Sequence, residues 1–340
     1  MRTATYIGDH TVQTAEAAPV QPAQGQVQIA VAYTGLCGTD LHIIHGSMDG
    51  RVTRPLAFGH EMSGSVAAIG EGVTEWSVGD AVTVMPLQWD GTCPACRAGN
   101  SHICQNLVFV GIDSPGSLQE LWTVPEDLLV RLPAGISLKH AALAEPVAVA
   151  VHDVRRSELA AGDKVVVIGG GPIGVLIATV ARHAGAEVTV IEPEPGRRAQ
   201  IAGLGFATID PRAEDQVQVV EEWTDGAGAD VVFEVSGAAQ AVLGATALAK
   251  VRGTLVVVAI HPVPREIDLQ RLFWRELRIL GARVYQRTDF EEAVRLLGEG
   301  VIPADELISQ VVPLDGIPAA VDDLENGRAL KVLVAVGAEE

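Results

Sequence analysis

The sequence contains no uninterrupted apolar run long enough to cross a bilayer as a helix, so a helical membrane protein is excluded. Basic residues are scarce. Lys and Arg number 24 against 43 Asp and Glu, giving a formal net charge of −19 and an isoelectric point near 4.8. Such a surface repels phosphate backbones, which argues against a nucleic-acid partner. The acidic residues are spread along the chain and read as a solvated surface. Neither an internal repeat nor a low-complexity segment is present, and the opening Met1-Arg2-Thr3-Ala4-Thr5-Tyr6 has no apolar leader core, so a reducing cytoplasm is the expected location. Cysteine is sparse as well, at four residues in 340. What is present is an ample apolar fraction, 48%, enough to build two domains.

Three of the four cysteines, Cys93, Cys96 and Cys104, fall within twelve residues, and Asp90 stands three residues before the first. In a cytoplasmic chain this spacing argues against disulfides, and a redox pair has no use for a third thiol. Three thiolates and a carboxylate make a closed tetrahedral set of the kind that holds zinc for structure. Asp90 is the weakest member, because an Asp in a loop commonly forms a turn. The fourth cysteine, Cys37, precedes Thr39, Asp40 and His42, and His60-Glu61 follow downstream. Those groups are the ingredients of an open, catalytic zinc site.

The first 150 or so residues are rich in short strand-like runs, among them Val27–Tyr33, Gly64–Gly70 and Asp80–Val84. From about Ala161 strands and helices alternate: Lys164–Ile168, a helix over Pro172–Ala184, Glu187–Ile191, Ala229–Val235 and Gly253–Ile260. Apolar strands alternating with helices predict a doubly wound parallel sheet covered on both faces. Beyond Arg287 the pattern loosens and the chain is expected to return to the first domain. The first strand of the alternating region runs into Gly169-Gly170-Gly171-Pro172-Ile173-Gly174, which fits GxGxxG as Gly169, Gly171 and Gly174. These glycines allow a tight turn, close approach to a pyrophosphate and close helix packing, with Pro172 and Ile173 opening the helix. Glu192 follows the next strand, eighteen residues past Gly174, where a carboxylate takes the ribose hydroxyls of NAD and repels the 2′-phosphate of NADP. Arg197 is expected beside the adenosine ribose, and Ser236, past the Ala229–Val235 strand, completes the cofactor set.

Together, Gly35-Leu36-Cys37-Gly38-Thr39-Asp40-Leu41-His42 and Gly59-His60-Glu61-Met62-Ser63-Gly64, with Gly70 and Val73 beyond, resemble the zinc-containing medium-chain alcohol dehydrogenases. The likeness covers essentially the whole chain and keeps the family's order of motifs. It implies an α/β fold with a β-rich GroES-like catalytic domain over residues 1–152 and 288–340, and a Rossmann-type NAD-binding domain over 153–287. It further implies that Cys37, His60, Glu61 and Glu145 surround a catalytic zinc, with Glu61 either a ligand or a carboxylate that approaches the metal when substrate exchanges, and Glu145 open as a direct or water-mediated ligand. Asp90, Cys93, Cys96 and Cys104 would hold a structural zinc, with Asp90 where the family usually has cysteine. By the same resemblance Thr39 hydrogen-bonds the substrate oxygen, Asp40 orients the ligand histidine and His42 relays the proton to solvent.

Asn106-Leu107-Val108-Phe109, Arg283-Val284-Tyr285 and Asp289-Phe290-Glu291 resemble the butanediol and sorbitol dehydrogenase branch. The expected activity is therefore oxidation of a secondary alcohol, a vicinal diol or polyol, to a ketone by NAD. A threonine-dehydrogenase-like or cyclic-polyol substrate stays open. The different-class alternative, a non-catalytic NAD-binding regulator, leaves Thr39, Asp40 and His42 without a purpose. The expected partners are a small-molecule alcohol or ketone and further copies of the chain, as a homodimer or homotetramer.

Overall fold

In a computed structural model that describes residues 1–337, the chain forms two compact units. One comprises Met1–Pro146 and the return segment from Gln286; the other is Val147–Tyr285. The last three residues of the expected 288–340 segment lie outside the described residues.

The first unit is built on the strand Gln26–Gly35, whose side chains are buried on both faces along much of its length. It pairs antiparallel with Glu61–Ile69 on one side and with Lys331–Ala335 on the other. The register sets Gly35 opposite both Glu61 and Leu333. That crowding requires glycine: a methyl on Gly35 would overlap the Glu61 carboxylate. Trp122, Tyr6, Phe58 and Met62 fill the interior of this unit.

The second unit is a six-stranded parallel sheet in the order Ala207–Ile209, Glu187–Ile191, Lys164–Ile168, Ala229–Glu234, Ala249–Val257, Arg278–Gly281. Val166, Ile168, Ile191, Val232 and Leu255 pack in one core with Val220, Ala245 and Leu248 from the covering helices. Each such aliphatic side chain contributes roughly 1.5–3 kcal/mol by leaving water. Strand order reverses between Lys164–Ile168 and Ala229–Glu234, and a ligand crevice opens beyond the carboxyl ends of strands at such a point. The strand expected over Gly253–Ile260 begins earlier, at Ala249, and stops at Val257. The Val258 N–H makes the last ladder bond, to the Glu234 carbonyl at 2.9 Å, and the Ala259 N–H turns back to that same carbonyl at 3.1 Å, which ends the strand.

Candidate active site

Cys37 caps the helix Gly38–Ile44, and Asp40 in the first turn accepts the Cys37 N–H at 2.8 Å through Oδ2. His60 and Glu61 stand at the start of the adjacent strand. One donor atom each from Cys37, His60 and Glu61 lies within 4.8 Å of the others. The second oxygen of Asp40 is 3.6 Å from His60 Nδ1, so it faces the ring on the side that fixes the tautomer. Phe109 packs edge-on against the same ring, with centroids 5.2 Å apart. Burial alone would pull the His60 imidazole down; Asp40, Cys37 and Glu145 outweigh it and hold the ring at about 10. Burial pushes the Asp40 carboxyl up. A pocket that negative keeps a proton on a buried imidazole, and a metal ion takes that proton's place on binding. A soft thiolate, an imidazole and a carboxylate fit zinc.

Lys331, which sequence reasoning passed over, sits in the middle of this set. Its side chain is buried at 4% exposure, and its ammonium pairs with Glu61 and donates to the Leu36 carbonyl at 3.0 Å. Burial pulls the ammonium down, and Glu61 and Cys37 more than offset it, leaving the lysine raised. A lone cation in the apolar strand Lys331-Val332-Leu333-Val334-Ala335 was the available signal. Glu145, in the first turn of the helix Ala144–Ser157, is buried and within electrostatic reach of His60 and Lys331, but outside the mutually close donor set. Thr39 is half-buried and His42 exposed, three residues apart on one helix and therefore on one face.

Glycines support His60 from behind. Gly59 (φ +96°) and Gly111 (φ +94°) are in the left-handed region, and a methyl on either Gly111 or Gly116 would overlap the Gly59 carbonyl.

In the lobe of the same unit, Asp90, Cys93, Cys96 and Cys104 bring donor atoms within 4.8 Å of one another. The four cysteines are free thiols, with Cys93 and Cys104 sulfurs 3.7 Å apart. Asp90 Oδ1 accepts the Thr92 and Cys93 N–H groups at 2.8 and 2.9 Å, and Oδ2 accepts Asn106 Nδ2 at 2.6 Å. The Cys93 N–H, Asn106 and Thr92 hold this carboxyl well below the usual range. Backbone N–H groups of Cys96 and Gln105 pull the Cys93 thiol down toward the thiolate. An ionised carboxylate beside a poised thiol suits a cation, and Asn106, quoted from the sequence only for the family resemblance, is a further residue of this lobe.

In the second unit, Gly169 (φ +110°) turns the chain, and the helix Pro172–His183 starts directly behind it. A methyl on Gly169 would lie 3.1 Å from Ser236 N, so Ser236 stands against this loop. Glu192 is 3% exposed; its oxygens accept the Gly170 and Glu194 N–H groups, each at 2.8 Å. Arg198 is occupied, donating to the Glu192 and Pro193 carbonyls and pairing with Asp210 at 2.7 Å. Arg197 is half-buried, and its Nε has no hydrogen-bond partner among the described residues.

Residues 23–134 match the alcohol dehydrogenase GroES-like domain and residues 172–299 the zinc-binding dehydrogenase domain. A 2-dehydro-3-deoxy-L-galactonate 5-dehydrogenase of Pseudoalteromonas atlantica is 49% identical over the full length of both chains. The chain belongs to the zinc-binding medium-chain alcohol dehydrogenases. Residues 135–206, around the glycine loop, also match the pyridine nucleotide-disulphide oxidoreductase model. Among solved structures, 2R,3R-butanediol dehydrogenase of Bacillus subtilis superposes with a TM-score of 0.90 at 32% identity, covering 98% of this chain and 99% of that one. A zinc-binding dehydrogenase of Sinorhizobium meliloti 1021, bound to NADP, gives 0.92 at 32% identity and covers 98% of each. This dehydrogenase is an oxidoreductase of α/β fold with GroES-like and Rossmann-type parts. No helix among its described residues is long and apolar enough to cross a membrane.

Proposed function

We propose that the enzyme moves a hydride between NAD and a secondary alcohol that carries further hydroxyl groups, giving the ketone. The observation that carries this reading is the donor set of half-buried Cys37 and buried His60 and Glu61, with Thr39 and His42 on the adjoining helix. Zinc held there supplies Lewis acidity toward the substrate oxygen, and NAD supplies the hydride acceptor. Thr39 hydrogen-bonds that oxygen and takes its proton toward His42, whose exposed ring delivers it to solvent. Asp40 holds the His60 ring in place, and Glu145, outside the close donor set, acts through an intervening water. Asp90 and the three lobe cysteines hold a second, structural zinc. Gly169, Gly171, Pro172, Ile173 and Gly174 cradle the pyrophosphate, while Glu192 takes the adenosine ribose beside Arg197 and Ser236.

The 49% identical relative acts on a sugar acid by its name, and a sugar acid is itself a polyol with a carboxylate. That favours sugar acids as a second substrate class beside simple diols and polyols. An NAD-reduction screen over diols, polyols, sugar acids and threonine, with and without chelator, tests the reading. Chelator-insensitive turnover, or none with any hydroxylated substrate, refutes it. We further propose a cytoplasmic homodimer or homotetramer. The strand Arg278–Gly281 ends its sheet, and the preceding helix leaves Phe273 and Trp274 exposed at 73% and 72%. Exposed aromatics of that size mark an association surface. Phe273→Glu/Trp274→Glu should shift the sedimenting species toward monomer; an unchanged species refutes this surface.

A further inference from the structure

Beyond Ser236, the carboxyl end of the parallel sheet holds a buried acid with no role in the assignments above. Glu234 ends the strand Ala229–Glu234 and is 1% exposed. Its Oε1 accepts three hydrogen bonds: from Ser236 N at 3.0 Å, Ser236 Oγ at 2.7 Å and Gly237 N at 2.9 Å. Its backbone carbonyl accepts Val258 N and Ala259 N, which starts the loop after the next strand. From that loop His261 points Nε2 at Glu234 Oε2, 3.2 Å away. The two atoms lie off the line of a hydrogen bond, and neither ring nitrogen of His261 has a hydrogen-bond partner among the described residues. The ring nitrogen and Glu234 Oε2 therefore face each other with no competing hydrogen-bond partner among the described residues. One carboxylate thus shapes two loops, and the first of them touches Gly169 through Ser236.

The position of these loops gives the pair a purpose. Dinucleotides lie across the reversal point with one mononucleotide on each half of the sheet. Glu192 marks the adenosine half, beyond the strand Glu187–Ile191. The loops after Glu234 and Val257 belong to the opposite half, where the nicotinamide mononucleotide goes. We propose that Glu234 and His261 are positioning residues for the nicotinamide half of the cofactor, fixing the two loops that flank it. This rests on the NAD reading of the unit.

The test is direct binding of NADH and of AMP to the zinc-loaded enzyme, followed by fluorescence and calorimetry. His261→Ala should weaken NADH binding about tenfold, which is ~1.4 kcal/mol, and leave AMP binding as in the wild type. His261→Lys, which keeps a nitrogen donor facing Glu234 Oε2, should recover most of the loss. Glu234→Gln/His261→Ala should bind NADH no more weakly than Glu234→Gln alone, because both changes break one contact. The inference is overturned if His261→Ala binds NADH like the wild type, loses AMP and NADH alike, or adds its full effect to Glu234→Gln. A wild-type enzyme that binds AMP but not NADH would instead overturn the cofactor assignment, and this inference with it.

Discussion

Lys331→Met should destabilise the metal-free enzyme by about 3–5 kcal/mol, the cost of breaking a buried ion pair by removing one partner. Lys331 is 4% exposed and Glu61 1%, so neither can turn to water when the other is lost. The ammonium's other acceptor among the described residues is the Leu36 carbonyl, and a methionine fills the same volume without replacing the charge. Glu61 would be left as an unpaired carboxylate in a pocket that already holds Cys37, Asp40 and Glu145. For a unit of about 200 residues, a loss of that size lowers the melting temperature on the order of 10 °C. The assay is thermal melting after exhaustive chelation, beside the zinc-loaded protein. In the loaded form the loss should shrink, since a divalent cation neutralises Glu61 in the lysine's place. Glu61→Gln/Lys331→Met should regain at least half of the stability lost in Lys331→Met. A metal-free Lys331→Met protein within about 1 kcal/mol of wild type, or a double variant no better than the single one, would refute the reasoning.

The purified enzyme should carry two zinc ions per chain, and Asp90→Ala should speed chelator removal of one of them at least tenfold, with Asn106→Ala having a smaller effect in the same direction; plasma emission analysis with a colorimetric chelator reads both. Because the Asp90 pKa is depressed in the fold, its stabilising contribution is complete above pH about 4 and fades only as pH falls further; acid loss of this metal should therefore follow the thiols, with a release midpoint above pH about 4, and a midpoint below that would contradict this. Glu192→Ala should weaken NADH binding about tenfold and narrow the preference over NADPH, and because Glu192 also accepts the Gly170 and Glu194 N–H groups, NADPH binding should not improve beyond wild type. Cys37→Ser and His60→Ala should abolish turnover and lose the catalytic zinc, whereas His42→Ala should keep its zinc and lose rate most at low pH in alcohol oxidation, with partial rescue by buffer bases.

Much of this site was readable because its chemistry is written in adjacent residues. The glycine loop, the Cys37 to His42 run and the His60-Glu61 pair each lie in one short segment, and local motifs of that kind survive without knowledge of the fold. Lys331 is different. It meets Glu61 across 270 residues, and only the strand register, Gly35 opposite Glu61 on one side and Leu333 on the other, brings them together. Glu234 and His261 are joined in the same way, by neighbouring strands ending at one level. Glu192 was identifiable as a candidate ribose ligand, but its two backbone hydrogen bonds follow from how the chain folds back over Gly170. Strand limits were set by hydrogen bonds rather than by composition: Val258-Ala259-Ile260 is as apolar as the strand before it, yet the Ala259 N–H doubles back onto the Glu234 carbonyl and extends the ladder no further.

The glycines stacked behind His60 carry a consequence for how this enzyme can change. Gly59, Gly111 and Gly116 come from two separate segments: a single added carbon on Gly111 or Gly116 would drive into the Gly59 backbone, and one on Gly59, at φ +96°, would press on the Thr34, Leu118 and Ser117 side chains. Small stepwise substitutions at these positions have no tolerated intermediate, so the floor under His60 is effectively frozen in design as in descent. New substrate preferences have to be found among side chains on the open side of the metal site. A variant library that spares these three positions spends its diversity where the backbone can absorb it.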